Sequence, residues 1–535
     1  WLKFSGSIAD APAMPASPPR RPARPVACRR FAATFVVATI GFLQLHPCLF
    51  RAPGRHVELH ANGFIASGVR RRMSVHKASR PHRSARIVAK AKDVGESSEF
   101  ASTANIAKNI IGAGAVSLPI AAGQVIDEAQ SLGVGTPYGL GLVVFMFVGF
   151  GILNATGFYL IGEACAFTGS RTYTSAWSKT LGKDYAWLPS FACAACGFLG
   201  SVACASVIGD TATDLASYAS GVPYTYIDRD AILCGIAGAM LLPLCLLPSL
   251  APLAFASVLG LLGVGILAAV MVVRFVDGSY AIGGSLYDLA VWKPSLFTSP
   301  DPSTTFSQVS RDVLVFTSII SNAFAAHYNA PAFYSELQPP QVTEGMVGDS
   351  KVEGKLRSFG TVTSTAFALV GILLIVITLS GVGTFGTAAQ PFILNNYASK
   401  DALAVFARVG LLLCVLFEFP LLERCFRVTT GSLLGLDTST STTPAAVLAC
   451  VALATGVACV PDLGLDQVNA LAGSLGASLL IYIGPSLMAL SVRESRPDDG
   501  GTYVSFGTLP TPILRVMLVI GIFLGLLGAA ATFSQ

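Results

Sequence analysis

The chain has 535 residues, 53% of them hydrophobic and 12% charged, with a mean hydropathy of +0.64 and a formal net charge of +5. A soluble globular protein carries about twice that charged fraction. So much apolar surface needs lipid around it, which argues for an all-α polytopic membrane protein and against a soluble fold. The positive charge is not spread as a nucleic-acid-binding face would be. It is concentrated between Arg20 and Lys92, where Glu58 is the one acidic residue, and the rest of the chain is close to neutral.

Residues 1–97 read as a leader. The chain begins with Trp1, and Met14 is the first plausible start. A basic stretch follows (Arg20, Arg21, Arg24, Arg29, Arg30), then an apolar run from Phe31 to Leu45 that ends at His46-Pro47. A positive segment before a short apolar one is the layout of a signal peptide, and the run is short for a spanning helix. Residues 51–92 are rich in Arg, Ser and Ala and poor in acid, which is transit-peptide composition. The two parts in series resemble the bipartite leaders of plastid proteins in algae with complex plastids. Phe50-Arg51-Ala52-Pro53 is similar to the Phe-x-Ala-Pro motif that opens such transit regions. The alternative is a basic tail held in the cytosol against anionic lipid.

Residues 98–535 read as the transmembrane domain. A spanning helix needs about 20 apolar residues, and eleven candidates follow in order. They are Ala101–Val125, Pro137–Phe167, Ala186–Leu215, Ala231–Pro248, Leu250–Phe275, Val309–Phe333, Phe359–Phe385, Leu403–Phe426, Pro444–Val460, Val468–Leu490 and Pro512–Phe533. Spans four and five are joined only by Pro248-Ser249, a tight hairpin. With the N-terminus on the cytoplasmic-equivalent side, loops there carry Arg171, Lys179, Lys183, Lys351, Lys355, Arg357, Arg424, Arg427, Arg493 and Arg496. Arg229 and Lys293 lie in the opposite loops, with Arg274, Arg311, Lys400 and Arg408 near helix ends, so the charge bias favours this orientation.

Span one carries the sharpest local signal, Asn105-x-x-Lys108-Asn109-x-x-Gly112-Ala113-Gly114-Ala115-x-Ser117-Leu118-Pro119. Two glycines and a following proline are poor material for an unbroken helix. Backbone opened in a bilayer must be satisfied by protein, water or ligand. A half-helix N-terminus there would offer N–H groups to a substrate carboxylate, while freed carbonyls would take cations. Close helix packing through small residues is the other reading. Span six carries a similar interruption, Ser321-Asn322-Ala323-Phe324-Ala-Ala-His327-Tyr328-Asn329-Ala-Pro331. Matching interruptions in the first helix of each half fit an inverted-repeat transporter.

On these motifs the chain resembles the amino acid/auxin permease family, of the amino acid–polyamine–organocation superfamily. Its span-one pattern N-x-x-K-x-x-x-G-x-G-x-x-x-L-P is matched from Asn105 to Pro119. His327 to Leu337 is similar to H-x-N-x-x-x-x-Y-x-E-L. Thr168-Gly169 with Tyr173, Ile208-Gly209-Asp210, Gly383-x-Phe385-Gly386, Pro420 with Arg427, and Gly473 to Pro485 also fit, in the right order over residues 99–533. The resemblance implies a LeuT-like fold, a 5+5 inverted repeat plus one extra helix, with an amino acid held between spans one and six. The carboxylate is then expected on Gly112, Ala113, Gly114 and Ala115, the amine near the carbonyls of Ala323 and Phe324, and His327 beside them.

Sodium-coupled relatives are expected to offer a hydroxyl in span eight shortly before the proline matching Pro420. Here Leu416, Glu418 and Phe419 stand there. Such relatives also tend to have Asn where this chain has Lys108. Protons are therefore the expected coupling ion in a symport, with sodium the lesser alternative. Intramembrane ionisable groups are expensive and functional by default. Glu418 could carry the proton or pair with Arg424 or Arg427. His327 could titrate or act as a hydrogen-bonded gate. Asp210 could gate span three or serve a structural hydrogen bond, and Lys108 could couple or snorkel to the interface. Asn105 and Asn329 complete the coupling and gating candidates. Glu163 and Arg408 read as helix-end groups, and Cys193 and Cys196 as buried packing residues rather than a metal site.

No phosphate loop, H-E-x-x-H pair or cofactor motif is seen in the sequence, so the reading is a secondary active amino acid transporter, not an enzyme. The other class is a non-transporting amino acid sensor or membrane scaffold, for which only the leader and the 335–355 segment could signal. The leader reading puts the protein in a plastid envelope; without it, the plasma or vacuolar membrane is the alternative. A fluorescent fusion of residues 14–97 is expected to reach the plastid of such an alga. A plain cytosolic signal rejects the leader.

Overall fold

The structure is a computed structural model that describes residues 97–247, 254–295, 305–338, 348–436, 443–461, 463–494 and 509–534. The expected leader up to residue 96 and the Pro248-Ser249 hairpin lie outside the described residues. The described chain is helical, with no strand, and with isolated bridges between Ser97 and Leu337 and between Ser295 and Gly386.

Among the described residues, eight helices are long and apolar enough to cross a bilayer: Thr136–Thr168, Trp187–Ser220, Leu259–Val276, Phe306–Glu336, Val352–Phe385, Ala402–Leu433, Leu465–Arg493 and Thr511–Ser534. A ninth forms if Glu99–Ile110 and Ala113–Ser131, bent by 47° at their junction, make one span. The expected count of eleven is not reached by this measure. At the fourth position the helix runs Arg229–Ile236, passes through a π turn at Ala237–Leu241 and ends at Leu242–Cys245. At the ninth it is the short Pro444–Ala458. Apolar composition marks both, but at 1.5 Å per residue neither matches a full hydrocarbon core of about 30 Å. Span seven begins at Gly348 rather than Phe359, so Lys355 belongs to a helix and not to a loop.

Helix ends follow local chemistry. Thr305 and Gln308 form a reciprocal capping box at the start of span six. Gly169 and Gly221 end spans two and three in the left-handed conformation that glycine adopts without strain. Span three is the most enclosed, with 83% of its apolar window buried against 28% for span two, so it forms the axis and span two faces outward. Small residues allow the close approach. A Cβ on Gly197 would sit 2.7 Å from the Phe426 nitrogen of span eight, and one on Gly410 would sit 2.8 Å from Gly263 Cα of span five.

The connection from span seven to span eight, residues 386–401, is held by buried charge. Arg408 stands near the N-terminal end of span eight, as expected, and is fully buried. Its side chain leans back toward the helix N-terminus, donating to the carbonyls of Leu394 (2.9 Å), Tyr397 (2.8 Å) and Ala398 (3.3 Å), and its Nε lies 3.0 Å from Asp214 of span three. Arg274 of span five reaches Asp401 at 2.5 and 2.9 Å. The Tyr280 hydroxyl donates to Asp401 and accepts from the Ala398 N–H, both at 2.9 Å. Burial and the Asp401 charge push the Tyr280 phenol above its usual pKa range, so it stays a donor. Glu163, near the C-terminal end of span two as expected, is also buried.

Removing one partner of a buried pair leaves the other charge uncompensated, at a cost of about 3–5 kcal/mol. Arg408→Met is therefore expected to lower the apparent melting temperature of the detergent-solubilised protein clearly. Arg408→Lys should recover only part of the loss, because one ammonium cannot reach three carbonyls and a carboxylate together. A melting curve unchanged in Arg408→Met would contradict this account.

Candidate functional site between two broken helices

Span one stops being helical where its sequence says it should. Ile111 and Gly112 are extended, Ala113–Ser117 is a 3₁₀ turn, and the helix resumes at Leu118 with Pro119 in its first turn. Proline fits there because its missing N–H is one the helix start leaves unbonded anyway. Span six breaks in the same manner. Phe306–Ala323 ends, Phe324–Ala326 is irregular, His327–Asn329 is a 3₁₀ turn, and Ala330–Glu336 resumes with Pro331 in its first turn.

The two breaks lie against each other. A Cβ on Gly114 would be 3.2 Å from Ala323 Cα, so glycine is what lets the strands of backbone touch. Asn329 donates to Asn109 across the same junction at 3.2 Å. Asn469 of span ten joins both breaks, donating to Ser117 at 2.8 Å and accepting from Asn322 at 3.0 Å. Sequence reasoning missed Asn469 and its bridge. An amide inside an apolar helix was the available signal.

Glu418 occupies the gap in span one. Its Oε1 fills the space a Cβ on Gly112 would need, and its carboxylate is within hydrogen-bonding reach of the Ala113 N–H and the Cys204 thiol. Its Oε2 is buried with no hydrogen bond among the described residues. Lys108, one turn before the break, is close enough for its charge to act on Glu418 without forming a direct ion pair among the described residues. Cys414 and Tyr328 complete the surroundings. Arg427 is not the partner of Glu418. It pairs with Glu423, one turn earlier on the same helix, at 2.6 Å.

The other expected residues are arranged differently. His327 is turned to span two, with Nε2 2.9 Å from the Asn154 carbonyl and its ring edge-on to Phe158. The Phe324 ring also points away from Gly112–Ala115 and stacks on Phe367 of span seven at 5.9 Å, leaving only its backbone at the break. Asp210 pairs with Arg229 and accepts from Asn395 at 3.1 Å, tying span three to the fourth helix and to the 386–401 connection. Asn105 is exposed and has no side-chain hydrogen bond among the described residues. Cys193 and Cys196 are buried thiols, with no group of His, Cys, Asp or Glu fit for a metal among the described residues.

Residues 95–533 match the family model described as transmembrane amino acid transporter protein. The chain belongs to that family. It is similar to sodium-coupled neutral amino acid transporter 7 of Rattus norvegicus, at 22% identity over 443 residues, 78% of this chain and 85% of the relative. The Homo sapiens protein of that name matches to the same extent. Putative sodium-coupled neutral amino acid transporter 11 of Rattus norvegicus is 23% identical over 405 residues, 75% of this chain and 79% of the relative. This family member is thus an integral multi-pass membrane protein of a transporter family, not an enzyme.

Gly114→Leu is expected to abolish amino acid uptake while leaving the protein in the membrane, since its side chain must part the two breaks. Gly114→Ala should retain part of the uptake. Normal uptake by the leucine variant would mean that the substrate binds elsewhere.

Proposed function

We propose that the protein is a secondary active amino acid transporter that works by alternating access in a LeuT-like 5+5 repeat and couples uptake to protons through Glu418. The observation that supports this is the position of Glu418. Its carboxylate lies on the Gly112–Ala113 backbone, where a half-helix N-terminus favours an anion. The carboxylate of an amino acid would need the same N–H groups. Two carboxylates cannot share one small donor set without strong repulsion, so the substrate enters when Glu418 is protonated and moves off. The substrate carboxylate then rests on Gly112–Ala115 and its amine on the backbone carbonyls near Ala323 and Phe324. Lys108, already beside the site, holds positive charge where a bound cation would otherwise be needed. His327 serves as a hinge support against span two, and Asp210 and Asn329 hold the ends of the moving helices.

A second reading has its own support. The relatives are named as sodium-coupled, and a carboxylate beside opened backbone is also a set of oxygen ligands for sodium. Lys108 opposes it, because an ammonium this close raises the energy of a second cation. A sensor with the same fold would bind amino acid without moving it.

Proteoliposomes with a pH or a sodium gradient imposed separately distinguish these readings. Uptake is expected with the substrate side acidified and sodium absent. Glu418→Gln is expected to keep exchange of amino acid across the membrane but to lose accumulation driven by the pH gradient. Strict sodium dependence with no response to pH favours the second reading, and binding without flux favours the sensor.

A further inference from the structure

A groove of about 690 Å³ runs between spans two and seven, outside the site described above. It is lined mainly by apolar and small side chains, and Val148, Ile152 and Ile372 on its walls are exposed on the outer surface of the helix bundle. The two helices run antiparallel along it. Its lining extends from Phe147 to Tyr159 on span two and from Ile375 to Arg357 on span seven, which at 1.5 Å per residue is roughly 18–27 Å. One leaflet of a bilayer core about 30 Å thick is about 15 Å deep, so the groove can take a whole acyl chain.

Two features make it more than a seam between helices. Gly151 and Gly371 face each other across it, and a Cβ on either would lie 3.6 Å from the tip of the Phe324 ring. Without those side chains, the groove reaches down to the Phe324–Phe367 stack, which belongs to the break in span six. Arg357 lies at one end, exposed and with no ion pair among the described residues, on the side where the Lys and Arg of the loops are concentrated. A guanidinium at the mouth of an acyl-sized slot matches a phosphate headgroup in charge and in fork geometry. Anionic lipid is also what gathers beside positive loops at a membrane surface.

We infer that this groove is a binding site for one anionic phospholipid, with an acyl chain between spans two and seven and its phosphate on Arg357. The bound chain would press on the Phe324–Phe367 stack and so support the irregular segment of span six. The inference does not depend on which ion drives transport.

Native mass spectrometry of the full-length protein, equilibrated with equal amounts of phosphatidylglycerol and phosphatidylcholine, tests it. The unaltered protein is expected to retain phosphatidylglycerol in severalfold excess. Arg357→Ala should bring the two lipids to near parity while still holding one. Ala368→Trp fills the exposed part of the groove wall and should reduce retention of both. Three results would overturn the assignment: an excess that survives Arg357→Ala, retention unchanged by Ala368→Trp, or displacement of both phospholipids by a sterol.

Discussion

Backbone polar groups in a bilayer have no water to turn to, and this constraint shapes the centre of the molecule. Spans one and six both leave helical hydrogen bonding at mid-length, at Ile111–Gly112 and at Phe324–Ala326. Such openings persist only where protein, water or a ligand satisfies them. Here each break covers the other, Glu418 comes from span eight and Asn469 from span ten. Four segments far apart in sequence are thereby fastened to one small volume. The same volume is where an amino acid's charged ends would find N–H and carbonyl groups.

The second organising feature is a set of buried and half-buried ion pairs at the end of the bundle that carries the 386–401 connection. Arg408 with Asp214, Arg274 with Asp401, and Arg229 with Asp210 each join a different pair of elements. Paired ions in the low-dielectric interior are tolerated only when their remaining donors and acceptors are matched. Arg408 meets that condition through three loop carbonyls, which fixes the loop more tightly than apolar contact would. Because Asp210 and Asp214 both stand on the central span three, the connection is anchored to the axis of the bundle.

Glycine sets how near the helices come. Gly112 makes room for Glu418, Gly114 for Ala323, and Gly197 and Gly410 for the backbones of neighbouring spans. At Gly151 and Gly371 the same absence of a side chain exposes the Phe324 ring toward the lipid-facing groove. The break in span six and the outer surface are separated there by little more than one aromatic stack.

Apolar runs of about 20 residues, the glycine–proline interruptions and the helix-starting prolines are local properties, so the sequence by itself determined the helices, their order and the positions of both breaks. It also singled out Glu418 and Lys108 as charges in costly places. The fourth and ninth helices were legible at close to their observed lengths, Ala231–Pro248 against Arg229–Cys245 and Pro444–Val460 against Pro444–Ala458, but hydropathy marks apolar character and shows nothing of the π turn at Ala237–Leu241. Only tertiary structure decided the partners. Glu418 had Arg424 and Arg427 nearby in sequence, yet Arg427 goes to Glu423 and Glu418 to the span-one backbone. His327 and Phe324 belong to the span-six break, but their side chains turn toward spans two and seven. Asn469 became visible as the bridge only when spans one, six and ten were assembled. Side-chain direction about a broken helix depends on which neighbouring surface fills the gap, and that surface comes from residues hundreds of positions away.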